Sequence, residues 1–197
     1  MTVVYTKSYS APPFDRTEIL RYAGVRESTV EITELMEECI SLAAGREAFK
    51  ACFCKLPVKM CDDGVDLGFV TVDSTDLAKN LNGCDSAVIF AATAGLELDR
   101  LVARYSSASP AKALMLQAIG AERIESLCDM LCADISAEYG EVRPRFSAGY
   151  GDLPLGLQKD IFALLDCPRK IGLTLNESLL MSPTKSVTAI VGIRRKI

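Results

Sequence analysis

Ser86, Ala87, Val88, Ile89, Phe90, Ala91, Ala92 and Thr93 follow one another without a charge, a proline or a glycine. A run that short and that apolar reads as a strand buried on both faces, at the centre of a sheet. Other strands are expected around it. Residues 48–58 alternate and are rich in Phe and Cys. Asp62, Asp63 and Gly64 then signal a turn, and residues 65–72 read as the returning strand of a hairpin. Residues 171–175 and 186–193 predict two more strands near the end. Residues 1–13 predict an extended lead-in that closes on Pro12 and Pro13.

The intervening segments carry helical periods. Asp15 caps a short helix, with Glu18 completing a capping box and Gly24 ending it. Ser28 opens a second helix in which Ile32, Leu35, Met36, Cys39, Ile40 and Ala43 form one face and Gly45 is the stop. Its other face, Glu31, Glu34, Glu37 and Glu38, is acidic and reads as solvated. Ser74 caps a helix through Asn80. Ala94 and Gly95 lead into a helix carrying Leu96, Leu98, Leu101, Val102 and Tyr105; the small residues there read as packing rather than as an anion site. Ser109 and Pro110 start a long helix to about Tyr139, with Gly120 permitting a break. Asp152 is placed to cap a last helix to about Leu165. Hairpin-like strands mixed with helices predict an α+β fold: one domain over residues 1–197, a mostly antiparallel twisted sheet with flanking helices.

Composition narrows the chemistry. The 197 residues contain no histidine, which removes Ser-His-Asp and Cys-His nucleophilic catalysis and every His-ligated metal site. Eight cysteines lack the paired Cys-x-x-Cys spacing of zinc sites. Cys52, Cys54 and Cys61, and the pair Cys128 and Cys132, read as small buried hydrophobes. A net charge of −4 gives no general basic surface for nucleic acid, and Arg194, Arg195 and Lys196 read as a solvated cluster. No apolar run approaches the ~20 residues that span a bilayer. The first residues lack a signal-peptide pattern, so a cytoplasmic location is expected.

Residues 143–154 are the densest functional candidate. Arg143, Arg145, Gly149, Tyr150, Gly151, Pro144 and Pro154 fall within twelve positions between two predicted helices. Glycine lets backbone approach a ligand, arginine presents a fork of donors to a carboxylate or phosphate, and tyrosine adds a flat face. The combination suits a small charged ligand; a Gly-Pro turn with a solvated arginine has the same spacing.

Two ordered motifs decide between them. Arg145, Gly149 and Tyr150, followed by Pro154, resemble the S-adenosylmethionine loop of the activation domain of cobalamin-dependent methionine synthase. Leu173, Thr174, Leu175, Asn176, Glu177 and Ser178, then Met181, Ser182 and Pro183, then Ser186 and Val187, are similar to that domain's later Thr-Glu-Ser, Met-x-Pro and Ser-Val run. The likeness is clear over residues 135–192, weaker around residues 91–95 and faint before Asp85. It implies S-adenosylmethionine bound through Arg145 and Tyr150, with main-chain groups of Ser147 and Ala148 at the adenosine and Gly149 leaving room. It implies cobalamin supplied by a partner methionine synthase or related corrinoid protein, a flavodoxin-like electron donor, and no self-contained catalytic residue or metal.

The chain departs from the family in three ways. It has no tryptophan, whereas the family carries one beside an acidic residue that faces the ligand's amino group; Asp15 is the stand-in, though its helix-cap role also explains it. The family's C-terminal tyrosine pair has no counterpart before Ile197, which implies weaker binding or completion by a partner. The family's domain is normally fused to cobalamin- and substrate-binding modules, and here it is expected to stand alone. Three functions therefore follow: an S-adenosylmethionine-binding activation subunit, an interaction module that kept the fold and lost the ligand, and a methyltransferase with another acceptor, the last disfavoured by the lack of a doubly wound nucleotide signature.

Overall fold

The computed structural model describes residues 2–194. Its first half runs β1 (Tyr5–Ser8), α1 (Arg16–Tyr22), α2 (Val30–Ala43), β2 (Lys50–Pro57), β3 (Lys59–Cys61), β4 (Gly64–Asp66), β5 (Thr71–Val72), α3 (Thr75–Asn80) and β6 (Cys84–Thr93). The second half runs α4 (Glu97–Tyr105), α5 (Pro110–Tyr139), α6 (Leu157–Leu165), α7 (Cys167–Ile171), β7 (Thr174–Leu175), β8 (Met181–Ser182) and β9 (Ser186–Arg194). The fold is α+β and every strand pair is antiparallel.

The main sheet has the order β1-β2-β6-β9. β6 is its centre, with Ile89 opposite Cys54 on one side and Ile190 on the other. Successive side chains of a strand face opposite ways, so the apolar run feeds two cores. Val88, Phe90 and Ala92 pack with α1, α2, α4 and α5. Ala87, Ile89 and Ala91 pack with α3, α6, α7 and the small strands. Both faces are dry, which is why no polar alternation is visible between residues 86 and 93.

Several local expectations need correction. Residues 65–72 do not return along β2. β3, β4 and β5 form a separate three-stranded sheet, and β2 pairs with β1 and β6 instead. The hairpin is real but smaller, closing at Cys61 opposite Gly64. Thr29, not Ser28, is the N-cap of α2. Glu18 turns to Arg21 rather than back to its cap. Ile171 ends helix α7 instead of starting a strand. α5 runs unbroken for 30 residues through Gly120. A Cβ on Gly120 would stand 2.6 Å from Lys185 Cε, so the glycine makes room for a lysine stem rather than a kink.

Asp152 does not cap α6, whose N-cap is Gly156 without a side-chain bond. Its carboxylate caps α3 across the fold. It accepts from the Ser74 hydroxyl, from Thr75 N at 2.7 Å and from Asp76 N at 3.2 Å. A helix N-terminus offers unpaired amides and a positive dipole end, and this carboxylate reaches it from 77 residues away.

One buried ion pair joins the lead-in to the long helix. Arg123 is fully buried and Glu122 is 2% exposed. Arg123 Nε donates to Glu122 Oε2 at 2.6 Å, Nη1 to the Pro12 carbonyl at 2.7 Å, and Nη2 to Glu122 Oε1 and the Pro13 carbonyl. Phe14 covers the guanidinium, whose carbon lies 4.0 Å from the ring centroid. Glu122 also accepts from Ser126 Oγ at 2.8 Å. Arginine has five N–H donors, and four are used.

Two stability predictions follow from these contacts. Removing one member of a buried pair strands the other charge. Arg123→Met should lower the unfolding free energy by about 3–5 kcal/mol in urea titrations, and hydrogen exchange should show residues 9–15 opening. The second concerns acid. The Ser74 hydroxyl, then the Asp76 and Thr75 amides, hold the Asp152 carboxyl below the ordinary carboxylate range. A depressed folded value adds stability above the unfolded value and loses it as pH falls through the folded one. The melting-temperature gap between the native chain and Asp152→Asn should be largest near neutrality and should close below about pH 4.

Candidate functional site

Residues 141–146 lie along the free edge of β9. Arg194 N donates to Glu141 O at 2.9 Å and Arg143 N to Gly192 O at 2.8 Å. Phe146 and Ile190 exchange both amide bonds, each at 2.9 Å. The segment is thus pinned as a short fifth rail of the sheet. Its register is uneven: Val142 pairs Ile193 and Phe146 pairs Ile190. Four steps on the outer rail match three on β9, so one residue is extra, as in a β-bulge. Pro144 lies inside this stretch and has no amide to give the ladder.

The bulge decides where the two arginines go. Residues two apart on a regular strand share a face. Here Arg143 Nη2 donates to Asn82 O at 2.6 Å, on the α3 side. Arg145 points to α5 on the other side. Its Nη2 donates to Glu125 Oε2 at 2.7 Å, and its Nη1 stands 2.9 Å from Asp129 Oδ1. The second contact is an ion pair without hydrogen-bond alignment, and Nη1 is buried with no hydrogen-bond partner.

The Arg145 side chain is 25% exposed. Burial works against its charge, yet the neighbouring Cys128, Glu125, Asp129 and Cys132 hold its pKa above the ordinary value. It is a cation at every working pH. Burial pushes the Cys128 and Cys132 thiols up, with Arg145 opposing. Neutral thiols of this kind are poor nucleophiles.

Two cavities flank the carboxylates that Arg145 contacts. One of about 380 Å³ is lined by Asp129, Cys132, Val142, Arg143, Pro144 and Arg145. The other, about 160 Å³, is lined by Asp15, Glu18, Glu122, Glu125 and Asp129, with Tyr22 and Ser126. Asp129 belongs to both. Asp15 serves α1 at the same time, its Oδ1 accepting from Thr17 N at 3.0 Å and Glu18 N at 3.1 Å. The cap and the acidic wall are therefore compatible roles. Roomier clefts of about 470 and 510 Å³ lie elsewhere, and neither touches residues 143–150.

Residues 147–153 fold as a tight turn beyond the bulge. Tyr150 N donates to Ser147 O at 3.1 Å, and Gly149 N to Leu153 O at 2.9 Å. Gly149 has φ +87°, and a Cβ there would press on Leu155 Cδ1 at 3.0 Å. Glycine meets both demands at once. The Ser147 and Ala148 amides have no backbone partner among the described residues. Ala148 is buried, while Tyr150 is 72% exposed with its ring edge on Phe146 at 5.9 Å.

The structure therefore links Arg145 to Asp15 through Glu125 and Asp129, which contact the arginine and share a cavity with Asp15, while Ala148 packs into the core on the other face of the sheet. Glu177 lies apart, exposed in the turn between β7 and β8. Sequence reasoning missed Glu125 and Asp129. Their signal is a spacing of three residues from Glu122 to Glu125 and four from Glu125 to Asp129, which puts three carboxylates on one stripe of the helix. Arg195 and Lys196 lie outside the described residues. No described helix is long and apolar enough to cross a membrane.

Comparison with known proteins gives a family pattern over part of the chain and a fold over all of it. Residues 133–196 match the family model of the vitamin B12 dependent methionine synthase activation domain. The fold matches a crystal structure of the MetH reactivation domain bound to AdoHcy with a TM-score of 0.74. Identity there is 16%, over 100% of this chain and 80% of the other. No curated protein sequence matches.

An aromatic ring left in water contributes little to folding. Tyr150→Ala should change the unfolding free energy by less than about 1 kcal/mol, the size of one edge-on aromatic contact. Chemical denaturation checks this. A larger loss would mean that the ring supports the turn.

Proposed function

On the premise that residues 133–196 carry the activation-domain family pattern and the whole chain that domain's fold, we propose that the protein binds S-adenosylmethionine and serves the reactivation of a cobalamin-dependent methionine synthase. The observation that carries the proposal is the charge arrangement around Arg145. One guanidinium pairs with Glu125 and Asp129, and those two carboxylates wall a cavity together with Asp15 and Glu18. S-adenosylmethionine has one carboxylate, one ammonium and one sulfonium. The carboxylate fits Arg145, and the ammonium fits the acidic wall.

Each residue then has a stated part. Arg145 holds the carboxylate by a charge-assisted contact, on the order of 1.5–3 kcal/mol. The free Ser147 and Ala148 amides meet the adenosine. Gly149 keeps a side chain out of the way, and Tyr150 stands where an aromatic face favours the sulfonium. The bound ligand supplies a methyl group to a nucleophile brought by the partner. Its leaving group is a neutral thioether, so no general base is required. The chain contributes binding and orientation. A chain without histidine lacks nothing for that task. Cobalamin comes with the partner, a methionine synthase or related corrinoid protein, and a flavodoxin-like donor would reduce that partner.

The internal pairing of Arg145 favours a second reading, an interaction module that kept the fold and lost the ligand. Ligand-linked stability separates the two. S-adenosylmethionine should raise the melting temperature with concentration, and isothermal titration should give a binding heat that Arg145→Ala abolishes while the variant stays folded. Equal affinity in Arg145→Ala would remove Arg145 from the site. No shift and no heat at millimolar ligand would leave the interaction module.

A further inference from the structure

The guanidinium assigned to the ligand is already engaged. Arg145 Nη2 donates to Glu125 Oε2 at 2.7 Å and Nη1 lies 2.9 Å from Asp129 Oδ1. Both carboxylates come from α5, one turn apart, and both line the acidic cavity. The pairing is incomplete, since buried Nη1 has no aligned acceptor. Glu125 and Asp129 are 40% and 74% exposed, so each has water to retreat into. Tight and loose features coincide: a partly buried cation, two accessible anions and one unsatisfied donor.

We infer that Glu125 and Asp129 form a self-binding latch on Arg145, which an incoming α-carboxylate must displace. The inference rests on the function proposed above. Displacement exchanges like for like. The ligand carboxylate takes the place of two side-chain carboxylates and gives Nη1 an acceptor. The freed carboxylates join Asp15 and Glu18 on the cavity wall, where cations are welcome.

The exchange makes the site read both ends of an amino-acid headgroup. A ligand with cations but no carboxylate cannot replace the latch on Arg145. A ligand with a carboxylate but no cation opens the latch and leaves two uncompensated anions beside Asp15 and Glu18. A zwitterionic headgroup satisfies both conditions. Glu125 and Asp129 are thus specificity-determining residues of the binding site, acting through Arg145.

Isothermal titration of the double variant Glu125→Gln/Asp129→Asn against two ligands tests this. AdoHcy carries the carboxylate and ammonium with an uncharged sulfur. Decarboxylated S-adenosylmethionine carries the cations without the carboxylate. Losing two partly exposed ion pairs should tighten AdoHcy binding about three- to ten-fold, because Asp15 and Glu18 remain for the ammonium. Decarboxylated S-adenosylmethionine should bind no better, or more weakly. Asp129→Asn alone, the more exposed position, should move AdoHcy the same way by a smaller factor, and melting curves confirm that each variant is folded. If the native chain binds AdoHcy and the double variant binds it equally or less tightly, the latch is wrong and the proposed function stands. If neither the native chain nor any variant binds either ligand, both fail.

Discussion

The contact on which the rest of the structure depends is the buried pair of Glu122 and Arg123. Neighbours in a helix do not normally face each other. Here both side chains bend to the same side, because the carbonyls of Pro12 and Pro13 offer acceptors there. A proline's carbonyl is left over when its missing amide keeps it out of a ladder. The arginine collects these acceptors and the adjacent carboxylate under Phe14. The result fixes the lead-in, and with it Asp15 and α1, against the middle of α5. Without that anchor the acidic wall has no opposite side. Burial of two charges is not itself stabilising. What this pair supplies is position.

The second constraint is the one-residue excess on the outer rail of β9. A regular strand would send Arg143 and Arg145 to the same face. The bulge sends one toward α3 and the other toward α5. Sheet edges attract unwanted pairing, and residues 141–146 cover this one while carrying the arginine that matters. Asp152 then ties the far side of the turn to the start of α3. A flexible-looking stretch of glycines and prolines is thereby held to β9 at one end and to α3 at the other. Recognition by positioning needs that rigidity.

How much of this was legible in the sequence depends on distance along the chain. The central strand, the length of α5 and the cap at Ser74 follow from local periods and local chemistry, and the structure has them. The Arg145 and Tyr150 motif was legible too. The partners of these residues were not. Asp152 reads as a cap for the helix that follows it, because local rules see only neighbours; the amides it serves lie 77 residues earlier. Glu125 and Asp129 read as ordinary polar positions of a long helix. Nothing within residues 143–154 says that a bulge will turn Arg145 onto them. Likewise, residues 65–72 have a strand's composition, but too few of them extend before Gly68 breaks the run, whose φ is +79°. β2 therefore finds β1 and β6.

These points converge on one electrostatic argument. The chain has no histidine, its thiols near Arg145 are held neutral by burial, and the cation at the site is permanent. Such a site discriminates by charge pattern. A guanidinium left open would attract small anions without discrimination. In the proposed latch, Glu125 and Asp129 occupy Arg145 and give way only to a headgroup that satisfies both charges. Selectivity of this kind comes from what must be displaced as much as from what is gained. Tyr150, 72% exposed and touching Phe146 only edge-on, leaves a flat aromatic face open to solvent at the end of the same loop.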